Sequence, residues 1–546
     1  MGRAVWGCFF AFIGVCLLYI VVVGIGIHVT PGGTASERLE NAQWVASGSW
    51  WDRQTCRWVE VCGAWHMVHK GGWTWKGYND KRPSESRDLT SFWHSSNEDP
   101  STWSKKERQL REIPAYVLDY APYVHLFSGE QYWPSDIAEH LVHSTPKVNY
   151  TIVASMKDAC NLTNLDELDR IDGAMHGRYM YLHSDDNVEA MPQWLTSTHN
   201  IPTRRLGLKE AKTDGEWSYE DGTVASDERR PSKDSDRSKR AKASMDGTCG
   251  GGNSSCDPLH GTCDDPLRPL NGPHFDLRKR TGKQFSSRPR VNQNRTTDGR
   301  SNAPAVLVVI DKGFGVVDAF WFFFYSFNLG QEVFGIRFGN HVGDWEHTMI
   351  RFRNGTPEAV YFSEHDFGDA YTWDAVEKYL LDPNGTGFPR PVIFSATGSH
   401  AMYARPGLHP YILPFGLLHD QTDRGPLWDP KLNFKSFTYD DKAQILRASK
   451  LNPQAPTGWF DYAGHWGDKY YPLGDPRQYR LAGQYHYVNG PTGPKFKALG
   501  RETVCERAGR ECVVKDYIGG RMPPKKLTSI IEGGEEGGLP GGNRTD

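Results

Sequence analysis

The chain has 546 residues, with 63 Lys and Arg against 66 Asp and Glu, for a formal net charge of -3. That near-balance excludes a generally basic nucleic-acid binder and an acidic solvating chain. Hydrophobic residues supply 38% and aromatics 12%, while 57 glycines and 34 prolines point to strands and loops rather than a helical bundle.

Residues 4–29 contain no Asp, Glu, Lys or Arg and run up to Thr30-Pro31. A bilayer core needs about 20 apolar residues as a helix, and this run is longer. A cleavable signal has an apolar core of only about 7–15 residues. Residues 1–30 therefore read as an uncleaved signal anchor forming one transmembrane helix, the alternative being an unusually long signal peptide. Only Met1 to Arg3 would remain cytosolic, too short for an adaptor-binding motif.

Flanking charge is too even to orient the anchor, with Arg3 before it and Arg38 after it. Two other signals place the bulk of the chain in the secretory lumen, as a glycoprotein. Asn149, Asn161, Asn253, Asn294, Asn354, Asn384 and Asn543 each open an N-x-[ST] glycosylation sequon. Outside the anchor the cysteines are Cys56, Cys62, Cys160, Cys249, Cys256, Cys263, Cys505 and Cys512, an even set suited to disulfides. The spacings 56/62 and 505/512 suggest local loops. The spacing of Cys249, Cys256 and Cys263 fits no zinc pattern.

Residues 31–105 form a Trp-rich stem with Gly and Ser punctuation, expected to pack in part on the main domain. Residues 106–202 hold the first part of that domain. Val117 and Leu118 read as the start of a strand ended by Pro122, Asp136 to His143 as a short helix after Pro134, and Val148 to Ser155 as a strand. Residues 203–303 are polar and basic, with Lys239-Arg240 and Arg278-Lys279-Arg280. Such a segment buries too little to offset its ordering entropy, so it is expected to be a disordered insertion, either a solvated loop or a target for dibasic cleavage.

Residues 304–515 carry short runs rich in β-branched and aromatic side chains: PAVLVVI, AFWFFFYSF, HTMIRF, EAVYFS and RPVIFSA. The aromatic run reads as a buried central strand, being too short to span a membrane. WDAVEKYLL is the best helical candidate here. The fold class is therefore all-β, a β-sandwich core with long loops and few short helices. The Gly-rich tail, residues 516–546, reads as disordered.

The sharpest chemical cluster is NHVGDWEHT, residues 340–348. On a strand, residues two apart share a face, so Asp344 and Glu346 project together with Trp345 and His347 opposite. Neighbouring carboxylates repel unless one is protonated or a cation lies between them. With His341 they form a candidate metal site suited to calcium or magnesium. The other reading is that both acids bond loop backbone. Further candidates are His365, Asp366, His400, Asp420, Asp423, His465 and Asp468. No G-x-S-x-G or Walker loop occurs, and Ser399 beside His400 would face the opposite way on a strand. Aromatic loops such as WFDYAGHWGDKYYP could stack on sugars or lipid head groups or pack inward.

The stretches YVLDYAPYVHL, VDAFWFFFYSFNLG, RFGNHVGDWEHTMIRF, RPVIFSATGSHAMYA, DRGPLWDP, GHWGDKYYPL and QYHYVNGPTGPKF resemble the fungal vacuolar protein sorting-associated protein 62 family. That likeness implies a role in cytoplasm-to-vacuole protein delivery and residence in the secretory or vacuolar system. FWFFFYSFN with NHVGDWEH is also similar to the strand and heptapeptide of necrosis-inducing NPP1-like proteins, secreted β-sandwiches that bind a divalent cation and a sphingolipid head group. By that likeness His341, Asp344 and Glu346 correspond to metal ligands, while Gly343 stands where the heptapeptide has a second His and Asn328 falls near the family's upstream acid. The expected function is a membrane-anchored binder of a lipid or glycan head group. The alternatives are a metal-dependent hydrolase at the same site and a purely structural sandwich.

Overall fold

The computed structural model describes residues 50–69, 88–96, 98–153, 160–203, 299–333, 335–365, 367–381, 387–410, 418–506 and 511–518, with residues 13–15, 17–19, 21–22, 35 and 38–39. No helix among the described residues is long and apolar enough to cross a membrane. The expected transmembrane helix at residues 1–30 lies largely outside them. So do nearly all of the expected insertion and tail.

The stem contributes helix α1 (Trp50–Val59), strand β1 (Val61–Cys62) and helix α2 (Ala64–His69). The Cys56–Cys62 disulfide closes the α1–β1 turn, as the spacing suggested, and Cys505–Cys512 closes a second short loop. β1 pairs antiparallel with residues Arg480–Leu481, which fixes this part of the stem to the main domain.

Three local expectations are corrected. Val117 and Leu118 lie in helix α3 (Ala115–Asp119), not a strand: the chain enters it from Pro114 in extended conformation, φ -60° and ψ 137°, and the turn buries Val117 in the core cluster shared with the second sheet. Strand β2 follows at Tyr123–His125. Residues 148–155 do not form one strand. Strands Ser144–Val148 and Thr151–Ile152 pair as a hairpin, and Asn149 turns the chain at φ +56°, which Asn tolerates. The WDAVEKYLL run is not helical: Lys378–Tyr379 pairs with Arg390 and Pro391, so sheet pairing overrides a weak nine-residue periodicity. The helix expected after Pro134 is present as α4 (Ile137–Val142), capped by the Asp136 carboxylate accepting from the Ala138 amide at 2.8 Å.

The main sheet contains β3 (Ala305–Gly313), β4 (Val316–Asn328), β5 (His341–Arg353), β6 (Thr356–Glu364) and β7 (Phe367–Thr372) side by side. Residues Phe434–Asp440 and Ile445–Ala448 extend it beyond β3, and Val514–Lys515 beyond β7. A second sheet joins Lys378–Tyr379, β8 (Arg390–Ser395), β2 and Leu427–Trp428. The fold is all-β, as expected.

β4 is buried along nearly its whole length because both its faces are covered, and its one charged side chain, Asp318, is paired with Arg351 at 2.7 Å. Phe320, Phe322 and Phe324, with Trp345 and Met349 of β5, pack against Ile137 and Leu141 of α4 and against Trp459 and Trp466. The other face turns Trp321, Phe323, Tyr325, Ile350 and Phe352 toward Val124, Ile393 and Trp428 of the second sheet. Two sheets thus share one core, and a layer of helix and loops covers the outer face. The chain leaves this body at Thr203 and returns at Gly299 beside it: the Thr203 amide donates to the Arg300 carbonyl and the Gly299 amide to the Thr203 carbonyl, each at 2.8 Å.

Glycines let the motif loops approach β5. Gly343 has φ +71°, and a Cβ there would lie 1.8 Å from the Trp466 carbonyl oxygen. A Cβ on Gly467 would meet the Val342 carbonyl oxygen at 1.8 Å. Gly343→Ala should therefore destabilise the protein by roughly 2–5 kcal/mol, joining left-handed strain to overpacking. Gly313→Ala, at φ +79° with nothing within 4 Å of its Cβ, should cost only about 1 kcal/mol. Denaturant unfolding of both variants checks this contrast.

Candidate functional site

β5 carries the predicted acids to one end of the sandwich. Asp344 stands opposite Tyr325 and Glu346 opposite Phe323 in the β4–β5 register. Both acids lie on the face shared with the second sheet, while Trp345 and His347 sit on the other, His347 against Phe320 and Phe322. The alternation read from the sequence holds.

Each acid has a side-chain partner. His400 Nδ1 lies 2.9 Å from Asp344 Oδ2, its Nε2 lies 3.1 Å from the Tyr132 carbonyl, and the ring stacks on Tyr325 at 3.7 Å. Both ring nitrogens face oxygen acceptors, which is the bonding of an imidazolium. Burial alone would lower the His400 pKa, but hydrogen bonds to Asp344 and Glu130 raise it to about 9. Glu130 in turn accepts from the amides of Gln131, Tyr132 and Gly398, clamping the loop that presents His400. Glu346 accepts from the Ser363 hydroxyl. Burial, then the adjacent Asp344, push its carboxyl up to about 8, against the opposing pull of Lys497 and Ser363.

A second pair adjoins the first. Strand β9 (His419–Thr422) presents Asp420, which lies 2.7 Å from His365 Nε2 and accepts from Tyr403 at 2.7 Å and Ser399 at 2.8 Å. Burial opposes the charged form of His365, but the bond to Asp420 and the charges of Asp420, Glu346 and Asp344 raise it to about 9. Ser399 and His400 thus serve different acids, so they form no nucleophile–base pair.

His341 is poised differently. Its Nδ1 donates to the Gly343 carbonyl at 2.6 Å, and burial lowers its pKa, so the ring is neutral with the lone pair on Nε2. That is the tautomer a metal-ligating histidine adopts when its other nitrogen is tied to a carbonyl. Among the described residues, His341 Nε2, Asp344 Oδ1 and Glu346 Oε1 are left without a hydrogen-bond partner. The nitrogen and two oxygens fit the chemistry of a divalent cation. Their ligand atoms are not, however, all within 4.8 Å of one another, a spacing met among the described residues only by His66, Glu189 and His486.

The other candidates serve loops. Asp423 accepts from the amides of Ser128 and Gly425, each at 2.9 Å. His465 stacks on Tyr181 and donates to the Gly490 carbonyl at 2.6 Å. Asp468 accepts from the Ser184 amide and the Tyr471 hydroxyl. Asp366 and the sequons Asn253, Asn294, Asn384 and Asn543 lie outside the described residues. Asn354 is exposed at the β5–β6 turn, whereas Asn149 accepts from Lys469 and Asn161 from the amides of Thr163 and Asn164. Sequence reasoning missed Glu130, Ser363 and Tyr325, which no local pattern marks.

Residues 315–471 match the family model described as vacuolar protein sorting-associated protein 62. A Saccharomyces cerevisiae relative, TDA6, provisionally designated vacuolar protein sorting-associated, is 33% identical over 435 residues, covering 77% of this chain and 74% of the relative. Vacuolar protein sorting-associated protein 62 of the same organism is 30% identical over 419 residues, covering 74% and 70%. A solved structure described as a toxin fold for microbial attack and plant defense shares 14% identity over 23% of this chain and 47% of its own, with a TM-score of 0.14, and carries no argument.

The His365–Asp420 pair makes a pH prediction. The folded pKa of about 9 exceeds the ordinary 6.5, so the pair's contribution is complete below about pH 6.5 and is lost as pH rises through 9. The loss should be on the order of 3 kcal/mol. In His365→Gln this component of the stability profile between pH 6.5 and 9.5 should vanish, as denaturant titrations at each pH would show.

Proposed function

The chain belongs to the vacuolar protein sorting-associated protein 62 family, and from that membership we propose that it acts in vacuolar protein sorting by binding a lipid or glycan head group through a divalent cation at His341, Asp344 and Glu346. The observation that carries the binding reading is the trio of atoms without a hydrogen-bond partner among the described residues, His341 Nε2, Asp344 Oδ1 and Glu346 Oε1, with the His341 tautomer set by the Gly343 carbonyl. Calcium or magnesium bound there would offset the mutual repulsion of the two acids and offer open positions to phosphate or hydroxyl oxygens. The side chains must draw closer to reach such an ion. The Trp466 and Tyr471 loops beside β5 lie in its apolar clusters, so ring stacking on a ligand is not part of this reading.

A metal-dependent hydrolase is the second reading, and it needs a general base. The loop imidazoles His365 and His400 are each held protonated by a carboxylate, which leaves neither ready to accept a proton at neutral pH. Binding is the better-supported role. In this reading the protein is anchored through residues 4–29, with the rest of the chain in the lumen and carrying N-linked glycans.

Two measurements test the proposal. Calcium or magnesium at 100 times its dissociation constant should stabilise the full chain by about 2.7 kcal/mol and raise its melting temperature by roughly 5 °C. Asp344→Asn with Glu346→Gln should abolish that rise, and an unchanged wild-type melting curve would overturn the site. For topology, endoglycosidase treatment of the chain from a secretory host should increase its gel mobility, with a smaller change in Asn354→Gln.

A further inference from the structure

A second constellation lies at the junction between the stem and the sandwich, beside the start of β5, where the Asn340 amide donates to the His486 carbonyl at 2.8 Å. α2 supplies His66, the short turn Val188–Ala190 supplies Glu189, and the segment after Gln484–Tyr485 supplies His486. His66 Nε2 is 2.8 Å from Glu189 Oε1, and one ligand atom from each of the three residues falls within 4.8 Å of the other two. The two imidazoles sit with ring centroids 6.1 Å apart.

The surroundings orient these groups. His486 is fully buried, stacked on Tyr479 at 4.3 Å, and its Nδ1 donates to the Arg337 carbonyl at 2.8 Å. That bond leaves the lone pair on Nε2, the arrangement in which a carbonyl positions a metal-ligating histidine. The Asn340 amide is 3.4 Å from that nitrogen, a long contact that a metal ion would readily displace. α2 is held in place by the Cys56–Cys62 disulfide and by the pairing of β1 with Arg480–Leu481. His66 and Glu189 also line a cavity of about 440 Å³ with Asn187, Asp475 and Arg477, so one side of the cluster opens to exchangeable ligand.

From this geometry we infer that His66, Glu189 and His486 form a zinc site with an open fourth position facing the cavity. Two imidazole nitrogens and one carboxylate are too rich in nitrogen for calcium or magnesium and suit zinc, for which three protein ligands and a water are a familiar set. The ion would replace the His66–Glu189 hydrogen bond and join stem to sandwich through three segments distant in sequence. This inference does not depend on the cation proposed at β5.

The test uses the full chain, stripped by a chelator, dialysed and titrated with zinc against a colorimetric competitor. Wild type is expected to bind one zinc equivalent that His66→Ala and Glu189→Gln each weaken at least 100-fold, while Asp344→Asn with Glu346→Gln retains it. Cobalt in place of zinc should give the intense visible absorption of a four-coordinate ion in wild type and not in His66→Ala. Melting of the chelated variants at the wild-type temperature shows that they remain folded. Equal zinc stoichiometry and affinity in wild type and both variants, or no zinc uptake by wild type, would overturn the site.

Discussion

A carboxylate taken out of water needs a counter-charge or several donors, and this requirement organises the end of the sandwich where β5 begins. Asp344, Glu346, Glu130 and Asp420 are all buried. Two imidazolium rings and a hydroxyl answer three of them, and backbone amides answer the fourth. Removing one member of a buried pair generally costs roughly 3–5 kcal/mol, because the survivor stays buried without its partner. The loops that carry His365, His400 and Glu130 are therefore held in place by charge, and the shape of the site follows from that.

The two-sided burial of β4 makes this possible. Phenylalanines on one face and Trp321, Phe323 and Tyr325 on the other fix the strand between two layers, so its partner β5 has a fixed register and face. Asp344 and Glu346 then stand where the apolar core gives way to loops. The same loops close on β5 through glycine contacts at Gly343 and Gly467, where no side chain would fit. That close approach gives a physical reason for glycine at both positions. The result is an arrangement with strongly held acids and one neutral imidazole, which suits retention of a positive ion better than proton transfer.

Much of this was legible in the amino-acid order, and the reason is periodicity. Alternation placed Asp344 and Glu346 on one face, the unbroken ring-rich run marked a strand buried on both sides, and close cysteine spacing marked the two local disulfides. Val117 and Leu118, expected in a strand, and residues 373–381, expected as a helix, differ because burial of Val117 on a helical turn and pairing with β8 outweigh local propensity. The partners of the acids were less legible. His365 and His400 were visible as candidates, but their turns at φ +55° and their pairing with Asp420 and Asp344 arise only from tertiary contacts. Glu130, and the convergence of His66, Glu189 and His486, left no local trace at all.

In the proposed function the acids of β5, with His341, hold a cation. Crystals of the protein soaked in manganese, measured at a wavelength where manganese scatters anomalously, test it most directly. The expected result is an anomalous peak bonded to His341 Nε2 and to carboxylate oxygens of Asp344 and Glu346. Density that shows those side chains bonded only to His400, Ser363 and the Gly343 carbonyl, with no peak among them at saturating manganese, would contradict it.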